Sequence, residues 1–255
     1  MIELVGVVQH YGVRPVLRGL SVQIPAGMVV AVVGPNGMGK TTLMGVMAGI
    51  LSPQRGQVEI DGLVRRRSVE EEQSIRCRLV YLPDHPWLPV NRTGREWLLA
   101  IGRLYRGAPD QVIDHVERLL SLFQLTKEGD WPIRSYSNGQ KKKIALASAL
   151  VTEVPILLLD EPFSGGLDPA GILALREVLR RLGTQPDRTI VMTEPELVES
   201  LTHRVLVLRE GQVAAFEDLD GLRKLTGCSG TLTEVLARLI HPGTLEQVEQ
   251  YFAER

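Results

Sequence analysis

The residues best able to do chemistry lie in one short run, Gly34-Pro35-Asn36-Gly37-Met38-Gly39-Lys40-Thr41-Thr42. Its spacing is G-x-x-x-x-G-K-T, a pattern suited to holding phosphate. Glycines let the backbone turn tightly, so several N–H groups can point at one anion. A helix that starts where the run ends adds its own N-terminal N–H groups. Lys40 supplies a cation for β- and γ-phosphates, and the Thr41 hydroxyl is placed to ligate Mg2+. The whole run, Gly34 to Thr42, is therefore read as a nucleotide-contacting loop. The alternative is a glycine turn with a structural role only. The flanks argue against it, since an apolar run precedes the loop and a helical pattern (Leu43, Met44, Val46, Met47) follows it.

A second constellation is Ile156-Leu157-Leu158-Leu159-Asp160-Glu161. A buried strand ending in two carboxylates delivers both to the C-terminal edge of a parallel sheet, where ligands bind in such folds. Asp160 is read as the holder of the metal's water shell, and Glu161 as the residue that orients or polarises an attacking water. By itself this ending is weak evidence; beside a phosphate loop it is strong.

These groups need elements to position them. Short apolar runs alternate with helical patterns, which predicts an α/β domain. Ile2–Val8, Leu20–Ile24 and Val58–Ile60, punctuated by Gly12, Pro15, Pro25, Gly27 and Asp61-Gly62, predict a small, mainly antiparallel N-terminal sheet. Met28–Val33, Ile156–Leu159, Thr189–Met192 and Val205–Leu208 are the buried strands. The span 92–150 is mostly helical in pattern, with core stripes at Trp97, Leu98, Ile101, Leu104 and at Val112, Val116, Leu119, Leu120. Residues 63–76 carry Arg65-Arg66-Arg67 ahead of Glu70-Glu71-Glu72, read as a solvated helix laced by Arg66–Glu70 and Arg67–Glu71 pairs, with a basic binding patch as the alternative. After Gly221, the helical spacing of Leu232, Val235, Leu236 and Leu239 predicts a tail that docks.

Composition bounds the function. The chain has 255 residues, 44% of them hydrophobic, and a formal net charge of −1. It can build a sizeable core and has no global pull toward nucleic acid, so no nucleic-acid partner is expected. Two distant cysteines, Cys77 and Cys228, make no disulfide framework and fit a reducing compartment. No leader pattern opens the sequence, and no stretch approaches the ~20 apolar residues of a membrane span. Any action at a membrane must go through a partner.

The order of motifs resembles the ATP-binding subunit of ABC transporters, from Leu4 to about Phe216. The resemblance implies a P-loop NTPase with a RecA-like core, an N-terminal antiparallel β subdomain and an inserted α-helical subdomain. It divides the chain into an ATPase domain at 1–220, with the helical subdomain at about 85–150, and a helical tail at 221–255. It puts Tyr11 where the family stacks adenine, and Ser137-Asn138-Gly139-Gln140 where it has its signature. Gly166-Leu167-Asp168-Pro169 falls on the loop that crosses to a partner subunit. Tyr81-Leu82-Pro83-Asp84 followed by Thr93-Gly94-Arg95-Glu96 looks like the exporter-type branch with a separately encoded permease. The implied cofactors are ATP and Mg2+. The implied partners are that integral-membrane permease and a second ATPase subunit, which would hold the chain on the cytoplasmic face of the cell membrane.

Three positions depart from the family. Its metal-contacting glutamine is Asp84 here, its first signature glycine is Asn138, and an ungapped match puts Thr193, followed by Glu194-Pro195, at its switch histidine. His203 does not fill that position and reads as a surface residue. These departures raise an alternative, a degenerate subunit with low turnover that acts in a heterodimer or as a regulator, whereas Glu161 favours a working ATPase. DNA-repair members of the family need a coiled-coil insertion, and the stretch from Lys40 to Ser137 is too short for one. Translation members usually have two such domains, and this chain has one phosphate loop. Trp87 and Leu88, after Pro86, fall where the family's groove receives a permease helix; simple packing is the competing reading.

Overall fold

A computed structural model of the chain describes residues 1–105, 109–193, 201–240 and 250–253. Its first sheet is antiparallel and has the order β2-β1-β4-β5, from β1 (Ile2–Tyr11), β2 (Arg14–Ile24), β4 (Arg55–Ile60) and β5 (Leu63–Val64). The second has the order β10-β9-β3-β8-β7-β6. Its members are β3 (Val29–Val33), β6 (Leu79–Leu82), β7 (Ile156–Asp160), β8 (Thr189–Thr193), β9 (Arg204–Arg209) and β10 (Gln212–Glu217). All its neighbours pair in parallel except β10, which returns antiparallel to β9. Every residue of β3, β7 and β8 is buried, as befits strands covered on both faces.

Helix α1 (Lys40–Ala48) lies between the two sheets, and its Leu43, Met44, Val46 and Met47 join Leu4, Val30, Leu158 and Leu206 in one core cluster. On the opposite face pack α5 (Asn138–Leu150) and α6 (Pro169–Gly183), together with α3 (Gly94–Tyr105) and α4 (Pro109–Leu122). Helices α3 to α5 lie in sequence between β6 and β7. Arg95 ties their ends by pairing with Glu117 and Asp130. The tail helices α7 (Leu219–Thr226) and α8 (Leu232–Ile240) close the β9–β10 edge, where Leu232, Val235 and Leu236 are buried against Val205, Val207 and Leu222. The rest of the tail expectation falls largely on 241–249, 254 and 255, outside the described residues.

Several expectations need correction. The helix read over 63–76 is shorter: α2 (Val69–Arg76) starts after Ser68, whose side chain caps it by accepting from the Glu71 N–H. Arg66 lies in the preceding turn with φ +64°, so it never reaches Glu70. Its guanidinium donates instead to the Gly49 carbonyl. The paired arginine of this region is Arg65, buried and 2.9 Å from Glu72, while Arg67–Glu71 holds at 3.8 Å. In the first helical stripe Leu98 is fully buried, but Leu104 is 78% exposed, since the inward face of α3 carries Gly94, Leu98 and Gly102. β6 and β10, short and at the sheet edges, were not among the expected strands. His203 is exposed, yet its Nδ1 accepts from the Val29 N–H at 2.9 Å and anchors the start of β3.

Phe123 is the largest fully buried side chain and packs in the helical cluster. Phe123→Ala should destabilise the protein by about 3–5 kcal/mol. Equilibrium urea unfolding of both proteins would read this as a lower midpoint at unchanged slope.

Candidate active site

Two strand ends on either side of β8 build the site. β3 ends at Val33 and the chain enters the glycine loop; β7 ends at Asp160, and β8 runs between them. Gly34 cannot be replaced, since a Cβ there would meet the Leu208 carbonyl at 2.5 Å. Gly37 and Gly39 take φ +79° and +97°, the left-handed region that glycine occupies without strain. Gly39 caps α1 with no side-chain hydrogen bond, so the first N–H groups of the helix face the loop uncapped by any side chain. Lys40 Nζ folds over the loop and donates to the carbonyls of Gly34 at 2.8 Å and Pro35 at 3.2 Å, with Asn36 Oδ1 at 3.5 Å. Burial lowers the pKa of Lys40, while Glu161 and Asp160 oppose that shift.

Tyr11, Val16, Asn36, Gly37, Gly39, Lys40, Thr41, Thr42 and Glu161 line one cavity of about 420 Å³. Tyr11 is 55% exposed, an aromatic face open at the rim. The donor set fits a nucleotide polyphosphate with a divalent cation: an uncapped helix start, glycine N–H groups, one ammonium, and the Thr41 hydroxyl beside the Glu161 carboxylate.

The strand-end carboxylates are held closely. Asp160 is 1% exposed. Its Oδ1 accepts from the Thr193 hydroxyl at 2.5 Å, and its Oδ2 lies 3.4 Å from the Tyr81 hydroxyl. Burial and the neighbouring Asp160 push the Tyr81 phenol strongly up, so it stays protonated and can donate. The Thr193 oxygen also accepts from the Glu161 N–H at 2.8 Å. Glu161 takes φ +45°, a left-handed conformation that costs about 1–2 kcal/mol for a residue with a side chain. Thr193, which the family match puts at the switch histidine, thus has its hydroxyl committed inside the sheet. Glu194, Pro195 and the residues to 200 lie outside the described residues.

Asp84 and the signature sit elsewhere. Asp84, His85, Pro86, Leu88, Val90, Ile133, Asn138, Lys141, Lys142, Gly165 and Gly166 line a second cavity of about 570 Å³. The Asp84 carboxylate approaches Ser164 and Lys142 rather than the phosphate loop. Ser137 caps α5 in a reciprocal capping box with Gln140, each side chain serving the other's backbone N–H. A Cβ on Gly139 would stand 2.6 Å from the Gly166 carbonyl, whereas Asn138 is exposed. Trp87 is 77% exposed and meets Trp97 edge-on at 6.3 Å.

Two buried lysines of α5, Lys142 and Lys143, belong to the site although no motif marks them. Lys143 Nζ pairs with Asp168 at 2.9 Å and, as a hydrogen-bond donor, lowers the pKa of that carboxyl. The signal was available: the two lysines stand one helical turn before Leu146 and Ala147, on the buried side of the helix.

Comparison with known proteins places this geometry. Residues 17–164 match the ABC transporter family. The daunorubicin resistance ATP-binding protein DrrA3 of Streptomyces coeruleorubidus is 35% identical over 87% of this chain and 69% of its own. The cobalt import ATP-binding protein CbiO of Salmonella typhimurium is 33% identical over 80% of this chain and 76% of its own. A solved ATP-binding subunit of an ABC transporter superposes with a TM-score of 0.85 at 26% identity, covering 94% of this chain and 99% of that one. The P-loop, RecA-like cassette fold is thereby established, and this chain belongs to the ABC transporter family as an ATP-binding subunit, an ATPase that powers transport.

Proposed function

We propose that the chain binds ATP with Mg2+ in the cavity beneath Tyr11, hydrolyses it with Glu161, and drives a separate membrane permease as one of two paired ATPase subunits. The observation that carries this reading is the meeting of the glycine loop, Lys40, Thr41 and Glu161 around one cavity. In it, Tyr11 stacks the adenine, residues 34–42 cradle the phosphates, and Thr41 and Asp160 hold the magnesium and its water. When bound there, Mg2+ would offset the negative charge of the phosphates. Glu161 orients the attacking water. Thr193 acts as a positioning residue, aligning Asp160 and Glu161 through its one hydroxyl.

The signature Ser137–Gln140 faces a nucleotide held by the other subunit, which accounts for its absence from the cavity at Lys40. The groove beside Trp87 and Leu88 receives a cytoplasmic segment of the permease and so holds the chain at the cytoplasmic face of the membrane. Export is the direction we infer, from the likeness of Tyr81–Asp84 and Thr93–Glu96 to the exporter-type branch. No observation among the described residues favours the low-turnover alternative, and Glu161, the carboxylate that a working ATPase needs, lines the cavity.

Three experiments test these roles. Lys40→Ala should weaken ATP affinity by more than tenfold, from loss of a charge-assisted contact of roughly 1.5–3 kcal/mol; unchanged affinity in titration calorimetry would remove the phosphate loop from the site. Thr193→Val leaves the Glu161 N–H and Asp160 without their shared partner. It should cost about 1–3 kcal/mol in stability and lower kcat more than tenfold, as Glu161→Gln abolishes it; a variant with wild-type turnover would deny Thr193 a positioning role. Trp87→Ser should reduce co-purification of the permease while the isolated chain keeps its melting temperature within about 2 °C. A large drop in that temperature would mean that Trp87 serves packing instead.

A further inference from the structure

One buried ammonium joins three segments around the site. Lys142 of α5 is 4% exposed. Its Nζ donates to the Glu161 carbonyl at 2.8 Å, and it stands 3.4 Å from the Ser164 hydroxyl and 3.4 Å from the Asp84 carbonyl. The Asp84 carboxylate is 3.7 Å away. The Ser164 hydroxyl lies 2.7 Å from Asp84 Oδ1 and 2.8 Å from the Glu161 carbonyl, and it shares its single proton between them.

The chemistry of this cluster is specific. A buried ammonium is stable only if charge and hydrogen bonds compensate its lost hydration. Asp84, Glu161 and Asp160 are the carboxylates that favour the charged form of Lys142 against burial, with Asp84 the strongest. Asp84 belongs to the loop between β6 and α3, at the entrance to the helical group. Glu161 is the left-handed residue whose carbonyl direction is coupled to the direction of its side chain. Its N–H is fixed by Thr193 and its carbonyl by Lys142, so both peptide planes that set its conformation are held.

We propose that Lys142 is a positioning residue for Glu161, and that its pairing with Asp84 forms a charged latch through which the loop entering the helical group controls the hydrolytic carboxylate. The latch rests on the role given to Glu161 above. A shift of the Asp84 loop removes the counter-ion from Lys142; the ammonium follows it or hydrates, and the Glu161 carbonyl loses its donor. A movement at the groove beside Trp87 thus reaches the reacting centre through one side chain. Asp84 does this as an ion-pair partner, which explains why its carboxylate is turned to Lys142 and Ser164 and not to the phosphate loop.

The test is a double-mutant cycle on the full chain with Mg·ATP. Lys142→Met should lower kcat at least tenfold while KM for ATP changes less than about threefold, the split expected of lost transition-state alignment. Asp84→Asn alone should also lower kcat, by leaving the ammonium unpaired. The double variant should be no slower than Lys142→Met, because Asp84 acts on Glu161 only through the ammonium. Losses that multiply, or a Lys142→Met enzyme within twofold of wild type, would overturn the latch. Amide hydrogen exchange gives an arm independent of turnover: Lys142→Met should speed exchange at both 161–164 and 84–88, and a change confined to 161–164 would refute the coupling. If Lys142→Met does not fold, Asp84→Asn, which keeps the ammonium but removes its counter-ion, carries the test, and unchanged kcat with unchanged exchange at 161–164 would overturn the latch. Glu161→Gln run in parallel separates the two readings. Full turnover in that variant defeats the role of Glu161, whereas a dead Glu161→Gln beside a normal Lys142→Met defeats the latch alone.

Discussion

A single hydroxyl, Thr193 Oγ1, donates to Asp160 and accepts from the backbone N–H of Glu161. Much of the site depends on it. The strand order puts β8 between β3, which carries the phosphate loop, and β7, which carries the carboxylates. The last residue of β8 is therefore the only group among the described residues that hydrogen-bonds both Asp160 and Glu161 from the strand between the two halves of the site. Its short side chain suits that place. It reaches Asp160 across one strand spacing, and it is buried, so the bond is not diluted by water. A larger residue there would have to leave the sheet interior.

The second organising constraint is buried charge. Lys142, Lys143, Asp160 and Thr193 are all among the buried polar side chains, clustered where α5, β7 and β8 converge. Such groups are unstable alone and persist only in a complete network. Lys143 and Asp168 complete one pair at the start of α6, whose first turn Asp168 also caps by accepting from the Gly171 N–H. Lys142 completes the other with Asp84 and Ser164. The loop from Asp160 to Asp168 is consequently fixed at its two ends by two lysines of one helix turn, so a rotation of α5 moves both fixings together.

Legibility in the sequence followed the range of the interactions. The phosphate loop and the β7 ending were readable because local spacing alone creates them: glycine conformation, a helix start, and a strand ending in acids. The buried strands β3, β7, β8 and β9 were readable from continuous apolar runs. β6 and β10 were not; they lie at the edges of the sheet and are only partly buried, so their sequences are not bound to the wholly apolar pattern of the central strands. The roles of Thr193, Asp84 and the two lysines were hidden for a different reason. Each depends on a partner many residues away, as in Asp84 with Lys142 or Thr193 with Asp160, and spacing along the chain contains no distance across the fold. A lysine on the buried face of an apolar helix was nevertheless a warning that an acid would be found opposite. The charged run at 65–72 misled by the same logic, since Ser68 capped the helix late and left Arg66 in a turn where helical spacing means nothing.

The signature segment shows how one chain's fold limits some positions and leaves others to a partner. Gly139 is fixed from within, because the Gly166 carbonyl occupies the space of any Cβ. Ser137 and Gln140 are fixed by their reciprocal cap. Asn138 is not constrained in this way: it is exposed at the first turn of α5, on the wall of the cavity that also contains Asp84 and Lys142. Nothing in the packing of this chain selects between glycine and asparagine at that position, and an asparagine at the first turn of a helix costs little. The selection must then come from what faces the helix start. An amide there can donate to an approaching anion, which a glycine could do only with its backbone. The departure at 138 therefore adds an exposed side-chain donor in front of a glycine that the Gly166 carbonyl holds in place.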